Sequence, residues 1–283
     1  YSILKTTDPN SYMGALRKSC ESFDIPIEGL HTETGPGVYE AALSAAPALI
    51  AADRAVLFKT VTKEIANKHG VTATFMSRWC NTLPGSSGHI HISLIDNNKN
   101  NIFYDSKSVR KMSKLFEYFL AGQLSCLPDC LCIFAPTINS YKRLVEGFWA
   151  PTRATWGIDD RTCALRVFAG SKYSTRVEVR QSGADTNPYL AIAAAIASGL
   201  WGIKNKLTLP SNTKSGGGYS DLDSQRLDSN LYDATIRMNR SQKAKDILGE
   251  EFVTHFCKTR LWECEQYNRA ITDWELKRYL EII

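Results

Sequence analysis

The sequence predicts an α+β fold, and three observations carry that expectation. Short stretches alternate apolar and polar residues with the period of two that marks a half-buried strand: HIHISL (89–94), TCALRVF (162–168) and STRVEVR (174–180). Longer stretches repeat apolar residues with helical spacing. No internal repeat and no strict βαβ rhythm orders the two kinds of segment.

Along the chain, Asp8-Pro9-Asn10 reads as the start of a helix reaching about Phe23. Residues 48–69 follow as a long helix: Leu57, Val61 and Ile65 recur every four residues, and Gly70 sits where a C-cap belongs. Residues 107–125 also read as helix. The segment TNPYLAIAAAIASGLWGIKNKL (186–207) has Thr186 or Asn187 as cap and Pro188 in the first turn. Its body is apolar nearly all round, so it should be buried. TKSGGGYSDLDS, from Thr213, is a loop, and residues 213–222 are the best candidate for disorder. Thr272-Asp273-Trp274-Glu275 matches a capping box ahead of a last helix, ELKRYLEII.

Composition narrows the function classes. A net charge of +5, from 34 basic and 29 acidic residues among 283, comes with no basic run interleaved with aromatics, so nucleic acid is not the expected partner. No apolar run reaches the roughly 18 residues of a membrane span, and no signal peptide is visible. Eight cysteines are too sparse for a disulfide scaffold. CLPDCLC (126–132) lacks both a paired CxxC and a nearby histidine, so reduced thiols in a cytoplasmic protein are expected.

The polar strand faces hold the candidate chemistry. His89, His91 and Ser93 share one face, and Arg176, Glu178 and Arg180 share another. Either set alone reads as a solvated face with cross-strand ion pairs. Together they suit a site inside an open barrel, with one ligand-rich face and one buried face. In HTETGPGVYEAAL (31–43) the turn Gly35-Pro36-Gly37 is flanked by Glu33 and Glu40, which can converge or stay exposed. Carboxylates with an imidazole suit Mg²⁺ or Mn²⁺. Arg143, Arg161, Arg166, Arg176 and Arg180 add forked donors for phosphate or carboxylate, which suggests phosphoryl transfer. No P-loop motif is present, so the nucleotide site would be of another kind.

These residues sit within motifs that resemble class I glutamine synthetases: ETGPGVYE, ADRAVLFK, ANKHGVTATFM, SGHIHISL, RLVEGFWAP, RVEVRQSGADTNPYLA, GIKNKL and ITDWELKRYLE, in that order. Within the family the chain is most similar to the lengsin branch of vertebrate lens homologues. The resemblance covers residues 1–283 as the catalytic domain, an open, curved antiparallel sheet wrapped by helices as a partial barrel. It implies that the N-terminal β-grasp domain and a Glu-x-Glu metal-binding strand lie upstream. The family phosphorylates the glutamate side chain with ATP and then attacks it with ammonia. By resemblance, Glu33 and Glu40 would bind one metal, and His89 and Glu178 another. Arg143 and Arg180 would hold glutamate. Arg161 and Arg166 would face the phosphates, with His91, Ser93 and Arg176 at the nucleotide end. Tyr1 would match a tyrosine beside the ammonium pocket. The assembly would be a large ring homo-oligomer, a dodecamer.

The departures suggest lost chemistry. The family's flap reads R-L-V-P-G-Y-E-A-P, and its glutamate falls on Trp149, whose indole donates one hydrogen bond and accepts no proton. Glu146 replaces the proline. Three residues of extended chain span about 10 Å, so Glu146 is expected to fall short of the lost position. The GSSGH loop (85–89) is one residue shorter than the family's, which should misplace His89. Asp160 replaces an asparagine before Arg161 and should oppose ATP. Gln181-Ser182-Gly183-Ala184-Asp185 replaces a Pro-Asp-Pro. The expected function is therefore a non-catalytic homologue with a structural or interaction role in lens fibre cells, with cytoskeletal partners. The alternatives are an ATP-dependent glutamate–amine ligase and a nucleotide- or glutamate-binding module without turnover.

Overall fold

The computed structural model describes residues 11–213 and 215–283. The expectations placed on Tyr1 and on Asp8-Pro9-Asn10 fall outside them. The described chain opens with α1 (Tyr12–Ser22), capped by the Ser11 hydroxyl, which accepts from the Gly14 N–H. A two-stranded antiparallel ribbon follows, β1 (Ile27–Thr32) against β2 (Tyr39–Leu43), joined through Gly35 and Gly37, both at positive φ. Next comes α2 (Ala48–Lys68), close to the predicted bounds, with Gly70 at φ 69° just past its end.

The second sheet has four short strands: β3 (Ile90–Ile92), β4 (Trp156–Ile158), β5 (Leu165–Phe168) and β6 (Arg176–Val179), in the order β3-β6-β5-β4. It is mixed rather than purely antiparallel, because β4 and β5 run parallel. Such a pair normally needs a long crossover. Here β4 has three residues, about 10 Å, and the six residues of the 159–164 connection reach about 20 Å, enough to return the chain to its start.

Rows across this sheet separate its two faces. Ile92, Val177, Val167 and Ile158 form one row, and Ile90, Val179, Leu165 and Trp156 another. Most of these side chains enter the main core. Between them, His91, Glu178 and Arg166 lie side by side on the opposite face.

The core's other wall is helical. The predicted 107–125 helix begins later and runs further, as α3 (Lys114–Phe134). Turns through Asp105 and Ser108 occupy the earlier residues, and the Ser113 hydroxyl caps the start by accepting from the Phe116 N–H. Cys126, Cys130 and Cys132 are fully buried on α3, so the cysteine cluster is core packing. A four-residue helix, α4 (Ser140–Arg143), leads to the flap. The apolar segment forms α5 (Pro188–Lys204), capped by Asn187 as expected and packed on α3. Glycines permit that approach: a Cβ on Gly122 would lie 2.3 Å from the Ser198 carbonyl, and one on Gly202 2.2 Å from that of Tyr118. The chain ends with α6 (Leu231–Arg240), α7 (Gln242–Leu248), α8 (Glu250–Arg269) and α9 (Asp273–Tyr279), the last with the predicted capping box. Among the described residues no helix is long and apolar enough to cross a membrane.

All eight cysteines are free thiols and seven are buried. Burial pushes Cys20 and Cys126 up to about 11, whereas the Thr82 hydroxyl, 3.4 Å from the half-exposed Cys80 sulfur, lowers that thiol. The native protein should therefore release about one fast equivalent from a thiol reagent, the remainder appearing only on denaturation. Cys80→Ser should remove the fast equivalent.

Candidate active site

The polar face of the second sheet converges on Glu178. Its side chain is 4% exposed, yet it meets four groups. Its Oε1 lies 2.9 Å from His89 Nδ1, 3.9 Å from His91 Nε2 and 2.6 Å from Arg180 Nη1, while its Oε2 lies 3.2 Å from Arg166 Nη1. Register explains the convergence. His91 and Arg166 flank Glu178 across the sheet, Arg180 follows two residues along the same face, and His89 precedes β3. Burial alone would raise the carboxyl's pKa. The His89 hydrogen bond and the nearby charges overcome it and hold the group far below the usual carboxylate range. Burial depresses His89 to about 4 despite Glu178, so a neutral imidazole donates from Nδ1 to Glu178 and leaves its buried Nε2 without a partner.

The remaining arginines divide by task. Arg180 also donates to the Arg161 and Trp149 carbonyls, both at 3.2 Å. Arg166 bonds Asp159 as well as Glu178 and lies over the Phe168 ring. Arg176 also lies over the Phe168 ring, 4.0 Å from its centroid, and donates to His91 Nδ1 at 3.0 Å. Arg143 is 3% exposed, donates to Ser87 Oγ and the Gln181 carbonyl, and is lowered by burial to about 10. Arg161 and Ser93 are exposed, and Arg161 joins the cluster through its backbone.

A second cluster sits on the β1–β2 ribbon. His31, Glu33 and Glu40 each place one ligand atom within 4.8 Å of the others. His31 was not singled out from the sequence, although two-residue alternation puts it on the Glu33 face and the register sets it opposite Glu40. Burial and the Glu33 charge raise the Glu40 carboxyl, and the field of Glu178 adds to this. Carboxylates that repel one another beside an imidazole suit a hard divalent cation.

Two expectations need correction. The short 85–89 loop does not displace His89 from Glu178. It pairs with the segment that replaces Pro-Asp-Pro: the Gly88 N–H donates to the Ser182 carbonyl and the Ala184 N–H to that of Ser86. Asp185 anchors the pairing, accepting from Ser77, Thr137 and Ser140 at 2.7, 2.9 and 2.6 Å. The two sequence departures thus pack on each other. Asp160 is also no free anion. It is 6% exposed and accepts from the Thr162 N–H and hydroxyl and from the Gly216 N–H. Burial would raise its pKa, and these donors keep it lowered. It therefore tethers the glycine-rich loop, helped by the Gly218 N–H bond to the Thr162 hydroxyl. Asp160→Ala should cost about 1–3 kcal/mol, read as a lower Tm.

With this geometry in place, the family follows. The family model for the glutamine synthetase catalytic domain matches residues 1–279, and the chain belongs to that family. Among relatives, the Dictyostelium discoideum type-1 glutamine synthetase 2 is 50% identical over 100% of this chain and 55% of its own length. A glutamate–isopropylamine ligase of a Pseudomonas species is 40% identical over 100% of this chain and 62% of its own. The solved GmaS/ADP complex superposes with a TM-score of 0.86 at 27% identity, over 95% of this chain and 63% of that one. The chain thus spans between a half and two thirds of these relatives. Their names overturn the expectation of a homologue without chemistry: relatives this similar are a synthetase and a ligase, and neither is a lens protein.

Proposed function

We propose that the chain is the catalytic portion of an ATP-dependent ligase that joins the side-chain carboxylate of glutamate to an organic amine. The observation that carries this reading is the shared Glu178 carboxylate, braced by His89, Arg166 and Arg180, with the His31–Glu33–Glu40 cluster as a second ligand set. Such an array handles a phosphoryl group between cations and carboxylates. Glu33, Glu40 and His31 would hold Mg²⁺ or Mn²⁺, and His89 Nε2 is a further donor. When bound, the ion supplies charge neutralisation for the transferring phosphate. Arg166 and Arg161 would face the phosphates, Arg143 and Arg180 the glutamate, and His91, Ser93 and Arg176 the nucleotide.

Trp149 favours an organic amine over ammonium. It is 62% exposed on the flap, free to cover a carbon skeleton or stack on a cationic amine. The similarity to an isopropylamine ligase supports the same choice. The upstream β-grasp domain, a ring-shaped homo-oligomer of the dodecamer type and a cytoplasmic location complete the proposal, and light scattering of the full-length protein tests the ring.

The activity test gives the full-length protein ATP, Mg²⁺ or Mn²⁺, glutamate and either ammonium or one of several amines: a branched alkylamine, an ethanolamine, a diamine. Phosphate release should be fastest with an organic amine. Trp149→Ala should raise the KM for that amine about tenfold, the worth of one cation–π contact, with kcat changed less. Release that ammonium supports best, or that no amine supports, would refute the assignment.

A further inference from the structure

Phe168 stands on the wrong face for an apolar side chain. Its strand neighbours Leu165 and Val167 are fully buried members of the core. Two-residue alternation puts Phe168 on the polar face with Arg166 instead, and Phe168 is not part of that core. Register sets it directly opposite Arg176 on β6. Charged and polar groups surround the ring. The Arg166 guanidinium lies 4.3 Å from its centroid, the Arg176 guanidinium 4.0 Å and the His91 ring 5.8 Å.

These contacts close a circuit. Arg166 Nη1 reaches Glu178 at 3.2 Å, Glu178 lies 3.9 Å from His91 Nε2, and His91 Nδ1 accepts from Arg176 Nε at 3.0 Å. The Phe168 ring then joins Arg176 back to Arg166. The two guanidiniums repel each other: burial lowers the Arg176 pKa, and the Arg166 charge adds to the effect. An aromatic face attracts each of them, so one ring can hold two like charges close together. Arg166 also grips Asp159, and Arg176 Nη1 donates to the Ser174 carbonyl at 2.9 Å, which limits the swing of either side chain. Among the described residues no hydrogen bond takes Arg176 Nη2, which remains for a ligand.

We propose that Phe168 is a positioning residue of the nucleotide site: its ring holds Arg166 and Arg176 at a fixed separation, so that a ligand with phosphates at one end and a nucleoside at the other meets both at once. The inference rests on the ligase reading, which puts Arg166 at the phosphates and Arg176 at the nucleotide. Phe168 acts through the two arginines, sparing the ligand the cost of ordering two long side chains. On the glutamate side, Arg143 is held by Ser87 and the Gln181 carbonyl, and Arg180 by Glu178. The effect of the ring is therefore confined to the nucleotide.

The test compares wild type with Phe168→Leu and Phe168→Tyr in the full-length protein. Leucine keeps an apolar side chain and loses the ring, whereas tyrosine keeps the ring. Binding of Mg²⁺–ADP, followed by calorimetry, is the first readout, since it needs no turnover. Phe168→Leu should weaken it about tenfold, the worth of ordering two long side chains, and Phe168→Tyr should recover most of the loss. Initial rates give the second readout. Phe168→Leu should raise the KM for ATP by a similar factor, while the KM values for glutamate and for the amine stay within about twofold of wild type. A uniform rise in all three KM values, with a lower Tm in both variants, would show ordinary packing and overturn the role. Binding of ADP by Phe168→Leu within about twofold of wild type would overturn it as well. A wild type that binds no nucleotide would overturn both this role and the ligase reading, and one that binds ADP yet turns over no amine would overturn the ligase reading alone.

Discussion

Glu178→Gln should produce a large functional loss together with a clear loss of stability. The substitution keeps the shape of the side chain and removes its charge. It leaves Arg180, 5% exposed, and Arg166, 14% exposed, without their central anion. Removing one member of a buried ionic cluster costs about 3–5 kcal/mol, since the remaining charges stay desolvated. In a domain of this size that corresponds to a Tm loss on the order of 10 °C. Activity should fall about 10²- to 10³-fold, as for one preorganised electrostatic group. The pH dependence has a definite sign. The native Glu178 carboxyl titrates far below the unfolded value of about 4.3, so its contribution is complete above that pH and fades as pH falls beneath it. Acid unfolding of wild type should therefore be steeper below pH ~4.3 than that of Glu178→Gln.

Gly88→Ala should damage activity and stability together through a single methyl group. The new Cβ would lie 2.5 Å from the Gly183 carbonyl and 3.3 Å from Ala184 Cα, so backbone rather than a pliable side chain must move. The displaced strand pair joins Ser86–Gly88 to Ser182–Ala184, and His89 is the next residue. A shift of about 1 Å in a catalytic group costs on the order of 10²-fold in rate. Overpacking adds about 1–3 kcal/mol of destabilisation. Turnover and thermal unfolding measured together separate the two. A variant with wild-type turnover and Tm would show that the 85–89 loop does not position His89.

Much of this architecture was legible in the sequence because local rules and tertiary packing agreed. Asn187-Pro188 fixed the start of α5, and Thr272 with Glu275 that of α9. The alternation of RVEVR placed Glu178 and Arg180 on one face, as the sheet does. The 107–125 expectation missed both ends of α3: turns closed by the Asp105 and Ser108 carbonyls hold the residues before Lys114, and the helix continues through Pro128 to Phe134. The cluster around Glu178 needed cross-strand register, which no local pattern encodes. Asp160 and the shortened loop looked like damage because their partners, Gly216 at 56 residues' distance and Gly183 at 96, are remote in sequence. The turn at 146–149 was not legible either, because no local pattern marks Trp149 for the left-handed backbone it adopts.

The central claim is that this polar sheet face activates a glutamate carboxylate for amide formation, and isotope transfer tests it most directly. The full-length protein is given ATP, a divalent cation, an organic amine and glutamate labelled with ¹⁸O in its side-chain carboxylate. The account predicts one labelled oxygen in the released phosphate for every γ-glutamyl amide formed. Phosphate released without label, or no amide with any amine, would contradict it.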